Sequence, residues 1–257
     1  MAATAGPTLT EFPNRPLTGG IADAVRPSRL RAWPRLAEAA RTAGSGLPVI
    51  VLGLVLLQID ANYFWRDDTQ LYHLAGYSEA ARAWRQGEWP LLSQATWQGG
   101  ALAAEYLNGV FSVFLQTCGY VVFALELSPP RAGAALALVH LAVLAMGAYR
   151  LARQRGLAVE LAYLVALLAS LNGYIFIWGT LWLPALTSFA WVPWAWWALA
   201  RTQRTHGRLR FLPAGLFIYL VMSAGWPFSV CKGQWRAQCW YMKTRQLSRT
   251  SKRQSAC

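Results

Sequence analysis

A chain of 257 residues that is 55% hydrophobic and carries 14 tryptophans is too apolar for an ordinary soluble domain, and matches a multi-pass membrane protein in composition. Its formal charge of +13 would suit nucleic acid, but the arginines lie in short stretches between apolar runs and make no basic face on a soluble fold. Four cysteines and three scattered histidines, with no C-x-x-C or similar spacing, support neither a disulfide framework nor a metal site.

Residues 1–46 are rich in Ala, Pro, Gly and Arg and read as a cytoplasmic N-terminal tail, with a short helix over 29–41 broken at Pro34. The run LPVIVLGLVLLQIDANYFW (47–65) is long enough to span a bilayer at ~1.5 Å per residue. The tail before it is too long for an ordinary cleaved signal peptide, so the run is expected to be an uncleaved first helix. Tyr63, Phe64 and Trp65 would be its outer aromatic belt. Asp60 would then lie in the outer third of the bilayer, where an acid faces protein or water.

The stretch from 66 to 100 is the one long polar interruption, and it begins with the adjacent acids Asp67 and Asp68. Seven of the eleven acidic residues (Asp60, Asp67, Asp68, Glu79, Glu88, Glu105 and Glu126) fall between 60 and 126. Leu71, Leu74, Tyr77, Ala81 and Trp84 recur at steps of three or four, which predicts one apolar helix face with Glu79, Arg82 and Gln86 opposite. Asp67 followed by Gln70 resembles a capping box. Asp68 would then be the first helical residue, with a spare carboxylate at the positive end of the helix dipole. An ionised carboxylate beside an aqueous cleft suits a general base. The plain alternative is that both acids only cap an interfacial helix.

Further apolar runs cover 101–126, 132–149, 157–177, 182–200 and 211–227. Arginines cluster before residue 47, at 150–155 and at 201–210, which is the positive-inside pattern. These clusters share one side only if 101–126, which contains Glu105, Asn108, Gln116 and Glu126, does not cross. That segment is therefore expected to be re-entrant or interfacial. The expected fold is all-α: a polytopic transmembrane helix bundle with a first outer loop, 66–131, of amphipathic and re-entrant helices. The run 182–200 holds five tryptophans, which could stack a sugar or line a lipid groove but are more simply anchors and packing residues. His140 inside an apolar run is expected to bond a neighbouring helix.

From residue 231 the composition changes. The three lysines and three of the four cysteines lie beyond it, without any acid and without helical or strand period. Residues 47–230 are therefore read as the transmembrane module and 231–257 as a basic tail of non-native character, as from a shifted frame or truncated gene.

Four segments carry a family resemblance: RDDTQLY (66–72), GEWPLLSQATWQGGAL (87–102), NGVFSVF (108–114) and SAGWP (223–227). In this order they resemble the GT-C superfamily of multi-pass glycosyltransferases, closest to its YfhO-like branch. The resemblance implies sugar transfer from a polyprenyl-phosphate donor to a cell-envelope acceptor on the outer face of a bacterial inner membrane. It makes Asp68 or Asp67 the catalytic base. Arg66, Tyr72, Arg82, Arg85 and Trp97 become candidate substrate-binding residues. It implies no particular cofactor. A non-catalytic membrane protein or gene remnant is the rival expectation, and a transporter or lipid flippase a weaker one, since only Asp60 and Glu160 place charge within the expected spans.

Overall fold

A computed structural model of the chain describes residues 32–93, 100–104, 106–203 and 207–225. Most of the expected N-terminal tail and the whole of the basic tail at 231–257 lie outside these residues. Contacts divide the chain into two units, 1–39 and 40–257. The described part of the first is the beginning of helix α1 (Ala32–Gly44). Pro34 does not break this helix. It sits in the first turn, where the missing N–H has no intrahelical acceptor to lose.

Every regular element among the described residues is helical, so the fold class is all-α. Among the described residues two helical stretches are long and apolar enough to cross a membrane: Leu36–Ile59, 24 residues, and Pro129–Gln154, 26 residues. At ~1.5 Å per residue each exceeds the ~30 Å hydrocarbon core of a bilayer.

Helix α2 (Leu47–Ile59) stops six residues short of the expected end of its apolar run. Asp60 ends it by leaving helical space, at φ −144° and ψ 101°. Its carboxylate takes the Asn62 N–H at 2.9 Å and pairs with Arg66. A short acid that can bond its own backbone competes with continuation of the helix. The chain then folds back, so that Phe64, expected in an exposed belt, is 1% exposed in the core.

The bundle is built around α5 (Pro129–Gln154), in which sixteen of 26 residues are buried. A helix enclosed on most sides must be apolar nearly all round, and this one is rich in Ala and Gly so that its neighbours approach closely. A Cβ on Gly133 would stand 3.0 Å from the Phe64 carbonyl oxygen. Helices α2, α6 (Val159–Leu171) and α9 (Val192–Thr202) all pack on α5. His140, fully buried, bonds the Leu136 carbonyl of its own helix through Nδ1 at 2.7 Å rather than a neighbour, and its Nε2 has no partner.

The runs 157–177 and 182–200 are each two helices, not one. Asn172 interrupts the first, its Oδ1 accepting the Ile175 N–H at 3.0 Å to start α7 (Gly173–Leu181). The second is α8 (Leu183–Phe189) and α9, each with a proline in its first turn. Those prolines cannot donate to a preceding turn, so they begin helices. The tryptophan run serves packing: Trp191 and Trp194 stack on Phe217 of α10 (Leu212–Ser223), at 5.9 and 5.4 Å. Trp194 also donates to the Val143 carbonyl at 2.9 Å.

Within 101–126 only α4 (Val113–Ala124) is an α-helix. Its twelve residues rise ~18 Å, short of a bilayer core. Phe114 at its start meets His140, midway along α5, at 5.4 Å and Trp191 at 4.8 Å, while its end returns to the beginning of α5.

Candidate functional site

The acids stand where the chain, having left α2, enters α3 (Leu74–Arg85) through a π-helical turn, Thr69–His73. Asp67 has φ 48°, a left-handed conformation that Asp tolerates better than most residues. The Thr69 and Gln70 amides both bond the Arg66 carbonyl, at 3.1 and 3.4 Å. The expected capping box is therefore not formed: the backbone has already taken the amide that Asp67 would have capped. Asp68 makes no capping bond through its side chain either. Asp67 is exposed and Asp68 half-buried.

Thr69 anchors this turn to the bundle. Its hydroxyl donates to the Leu181 carbonyl at 3.1 Å and accepts the Leu183 N–H at 3.4 Å, filling the break between α7 and α8. Such a turn is rare beside regular α-helix and is frequently met at functional sites. It carries His73 inward, to 4% exposure, with Nδ1 unpartnered. Burial lowers the imidazole to about 4, against the opposing pull of the Asp68 carboxylate, so His73 is neutral at physiological pH. The Tyr72 ring stands edge-on to it at 5.3 Å.

The other predicted residues divide. Arg66 adjoins the acids but is paired with Asp60, its guanidinium lying 5.8 Å from the Tyr63 ring centre. Arg131, in the first turn of α5 and exposed, belongs to the same end of the bundle, since a Cβ on Gly133 would stand 3.0 Å from the Phe64 carbonyl oxygen. Arg82 and Arg85 are not brought to the acids: they occupy the last turn of α3, ~20 Å along the helix axis. Arg82 bonds Gln86 at 2.9 Å and lies 3.9 Å from Glu79. Trp97 lies outside the described residues.

Periodicity placed Glu79 on the exposed face and Leu71 on the apolar one; the reverse holds, with Glu79 6% and Leu71 77% exposed. The chain after α3 folds back over the helix, Ser93 N–H bonding the Gly100 carbonyl at 2.9 Å, and the Ser93 hydroxyl donates to the Glu79 carboxylate. Asn108, fully buried, reaches α3 because position 76 is glycine: a Cβ there would stand 2.5 Å from its Oδ1. No spacing in the sequence marks these long-range contacts.

A recess of about 610 Å³ opens between α3, α4 and α10, walled by Trp84, Trp89, Phe111, Tyr120 and Tyr219. The Trp84 indole N–H is buried without a partner. The two tryptophans meet edge to face at 4.9 Å. Asp67 and Asp68 do not line this recess. Among the described residues no three His, Cys, Asp or Glu side chains stand together as a metal-binding group.

No family model matches the chain, and no curated protein or solved structure is detectably similar to it.

Proposed function

We propose that this chain is the membrane-embedded part of a GT-C-type glycosyltransferase, taking a sugar from a polyprenyl-phosphate donor at the outer face of a bacterial inner membrane. Five crossings carry it: α1 with α2, α5, α6 with α7, α8 with α9, and the apolar run 211–227 that contains α10. The N-terminus is cytoplasmic and 66–131 is outside, with α4 dipping in and returning. The observation that carries the chemical part is the Asp67–Asp68 pair, whose carboxylates are not spent on capping the helix they precede.

In this reading Asp68 accepts the proton of the acceptor hydroxyl as its oxygen attacks the anomeric carbon. The bond from that carbon to the lipid phosphate breaks on the opposite side, so the centre inverts. The departing phosphate needs a cation, and Arg66 and Arg131 stand at that end of the bundle. Neutral His73 behind Asp68 adds no competing positive charge. The apolar walls of the recess beside α4 suit the isoprenoid chain, which is long enough to reach from there to the acids.

The test is transfer of a labelled sugar from a polyprenyl-phosphate donor by the purified, reconstituted chain. Asp68→Asn keeps the side chain's size and removes the base, so turnover falls ~100-fold or more while donor binding is largely kept. Asp67→Asn leaves a substantial rate. Equal, normal turnover in both variants removes the residue-level support for glycosyl transfer.

A further inference from the structure

The Asp68 carboxylate is aimed by the backbone that carries it. It makes no capping bond, and among the described residues no hydrogen bond or ion pair holds its oxygens; Arg66, close by in the sequence, is paired with Asp60. An acid without a bond of its own points where the main chain on either side puts it. On the N-terminal side Asp67 turns through a left-handed conformation, φ 48°. On the C-terminal side stands Thr69, which opens the π-helical turn and is fully buried.

What holds Thr69 is distant in the sequence. Trp182 leaves helical space at φ −129° and ψ 82°, which separates α7 from α8. At that break the one Thr69 hydroxyl serves two backbone groups. It donates to the Leu181 carbonyl at 3.1 Å and accepts the N–H of Leu183, itself fully buried, at 3.4 Å. A hydroxyl can donate and accept at once, so no apolar side chain of the same shape replaces it. Backbone groups buried without a partner are costly, which keeps the pairing closed. The β-branched side chain has few rotamers, so fixing its oxygen also fixes its Cα. The Asp68 Cα is one peptide away, ~3.8 Å.

We infer that Thr69 is a positioning residue: through its two bonds to the α7–α8 break it sets where the Asp68 carboxylate points. The direction of the acid is thereby tied to α7 and α8 as well as to the start of α3. The consequence for turnover rests on the glycosyl-transfer reading above; the placement itself does not.

Three variants of the full chain test this, purified in one detergent and measured on folded, monodisperse protein. Thr69→Val keeps the shape and removes both bonds. Thr69→Ser keeps both bonds and removes the methyl group. Thr69→Ala takes the place of valine if that variant does not fold. The first readout is carbodiimide coupling of glycine ethyl ester to carboxylates, with the rates at Asp67 and Asp68 separated by tandem mass spectrometry. In the parent the exposed Asp67 should couple faster than the half-buried Asp68. In Thr69→Val the Asp68 rate should rise toward that of Asp67 by roughly threefold or more, as the held turn opens locally. The second readout is sugar transfer from the polyprenyl-phosphate donor. Thr69→Val should lower kcat by about tenfold or more while KM for the donor stays within about twofold, because a small misplacement of a reacting group is felt mainly in the chemical step. Thr69→Ser should match the parent in both readouts. A threonine that only supports the fold would reduce the yield of folded protein and leave the coupling ratio and kcat unchanged; that result overturns the proposal. So does a serine variant as impaired as valine. If the parent transfers no sugar, yet the coupling ratio shifts in valine and not in serine, the positioning role stands and the glycosyl-transfer reading fails.

Discussion

His73 is held far from its ordinary state by burial. It is almost wholly buried, its Nδ1 has no partner, and burial holds it at about 4 in place of the usual 6.5. As pH falls from 6.5 toward 4 the unfolded chain takes up a proton at this residue that the folded chain cannot, so folding stability decreases through that window. Above 6.5 both states are neutral and the contribution is constant. His73→Gln should therefore flatten the acid side of a plot of Tm against pH, measured in one detergent, while leaving the neutral side parallel to that of the parent. Identical acid slopes in the two proteins would show that His73 is solvated or charged in the fold. Asp67 gives a complementary test at the same scale. Because its side chain makes no cap and its backbone is left-handed, Asp67→Gly should be neutral or stabilise by up to ~1 kcal/mol, and a loss of stability would restore the capping role. Asp60 and Arg66 are both partly exposed, so Asp60→Asn should likewise cost no more than ~1 kcal/mol.

Among the elements, α5 sets the tolerance of the whole bundle, because its small residues decide how near its neighbours come. A Cβ on Gly147 would lie 2.6 Å from Cδ1 of Trp194, in the same contact that holds the Trp194 indole to the Val143 carbonyl. Gly147→Ala should destabilise by about 1–3 kcal/mol through overpacking. Gly215 in α10 has nothing within 4 Å of such a Cβ, so Gly215→Ala should be neutral or stabilise by up to ~1 kcal/mol. Thermal unfolding of both variants in one detergent checks the contrast. If Gly147→Ala is as well tolerated as Gly215→Ala, the α5–α9 packing described above is wrong.

The helices themselves were legible as apolar runs, and so was the exceptional character of 101–126, from its four polar or charged residues. What escaped was every feature set by contacts distant in sequence. Periodicity cannot see that residues after α3 fold back over it, so Glu79 was assigned to the wrong face. Nor can it see that the turn after α2 enters the core with Phe64. The breaks at Asn172 and between α8 and α9 were hidden because Asn and Pro can be absorbed into an apolar window, where an average ignores a missing N–H. The acid pair was conspicuous in the sequence. The π-helical turn that orients it, and the Thr69 hydroxyl that pins that turn, left no local mark.

At the largest scale, the described residues of the unit 40–257 carry different charges at the two ends of the bundle. Asp60, Asp67 and Asp68 stand at one end, with the Thr69 clamp on the α7–α8 break. Arg41, Arg150 and Arg201 stand at the other, where Tyr163 bonds the Arg41 carbonyl at 3.0 Å and the Arg150 and Arg201 guanidinium groups lie 5.2 and 5.6 Å from the Trp197 ring centre. The functional proposal requires these ends to face opposite sides of a membrane. Single cysteines in a chain lacking its native ones test this directly: one at Glu88, in the acid-bearing outer region, and one at Gln203, just past α9, both exposed. In intact cells an impermeant thiol reagent should label position 88 and spare position 203, which should react only after permeabilisation. Labelling of position 203 from outside, or equal labelling of both, would contradict the account.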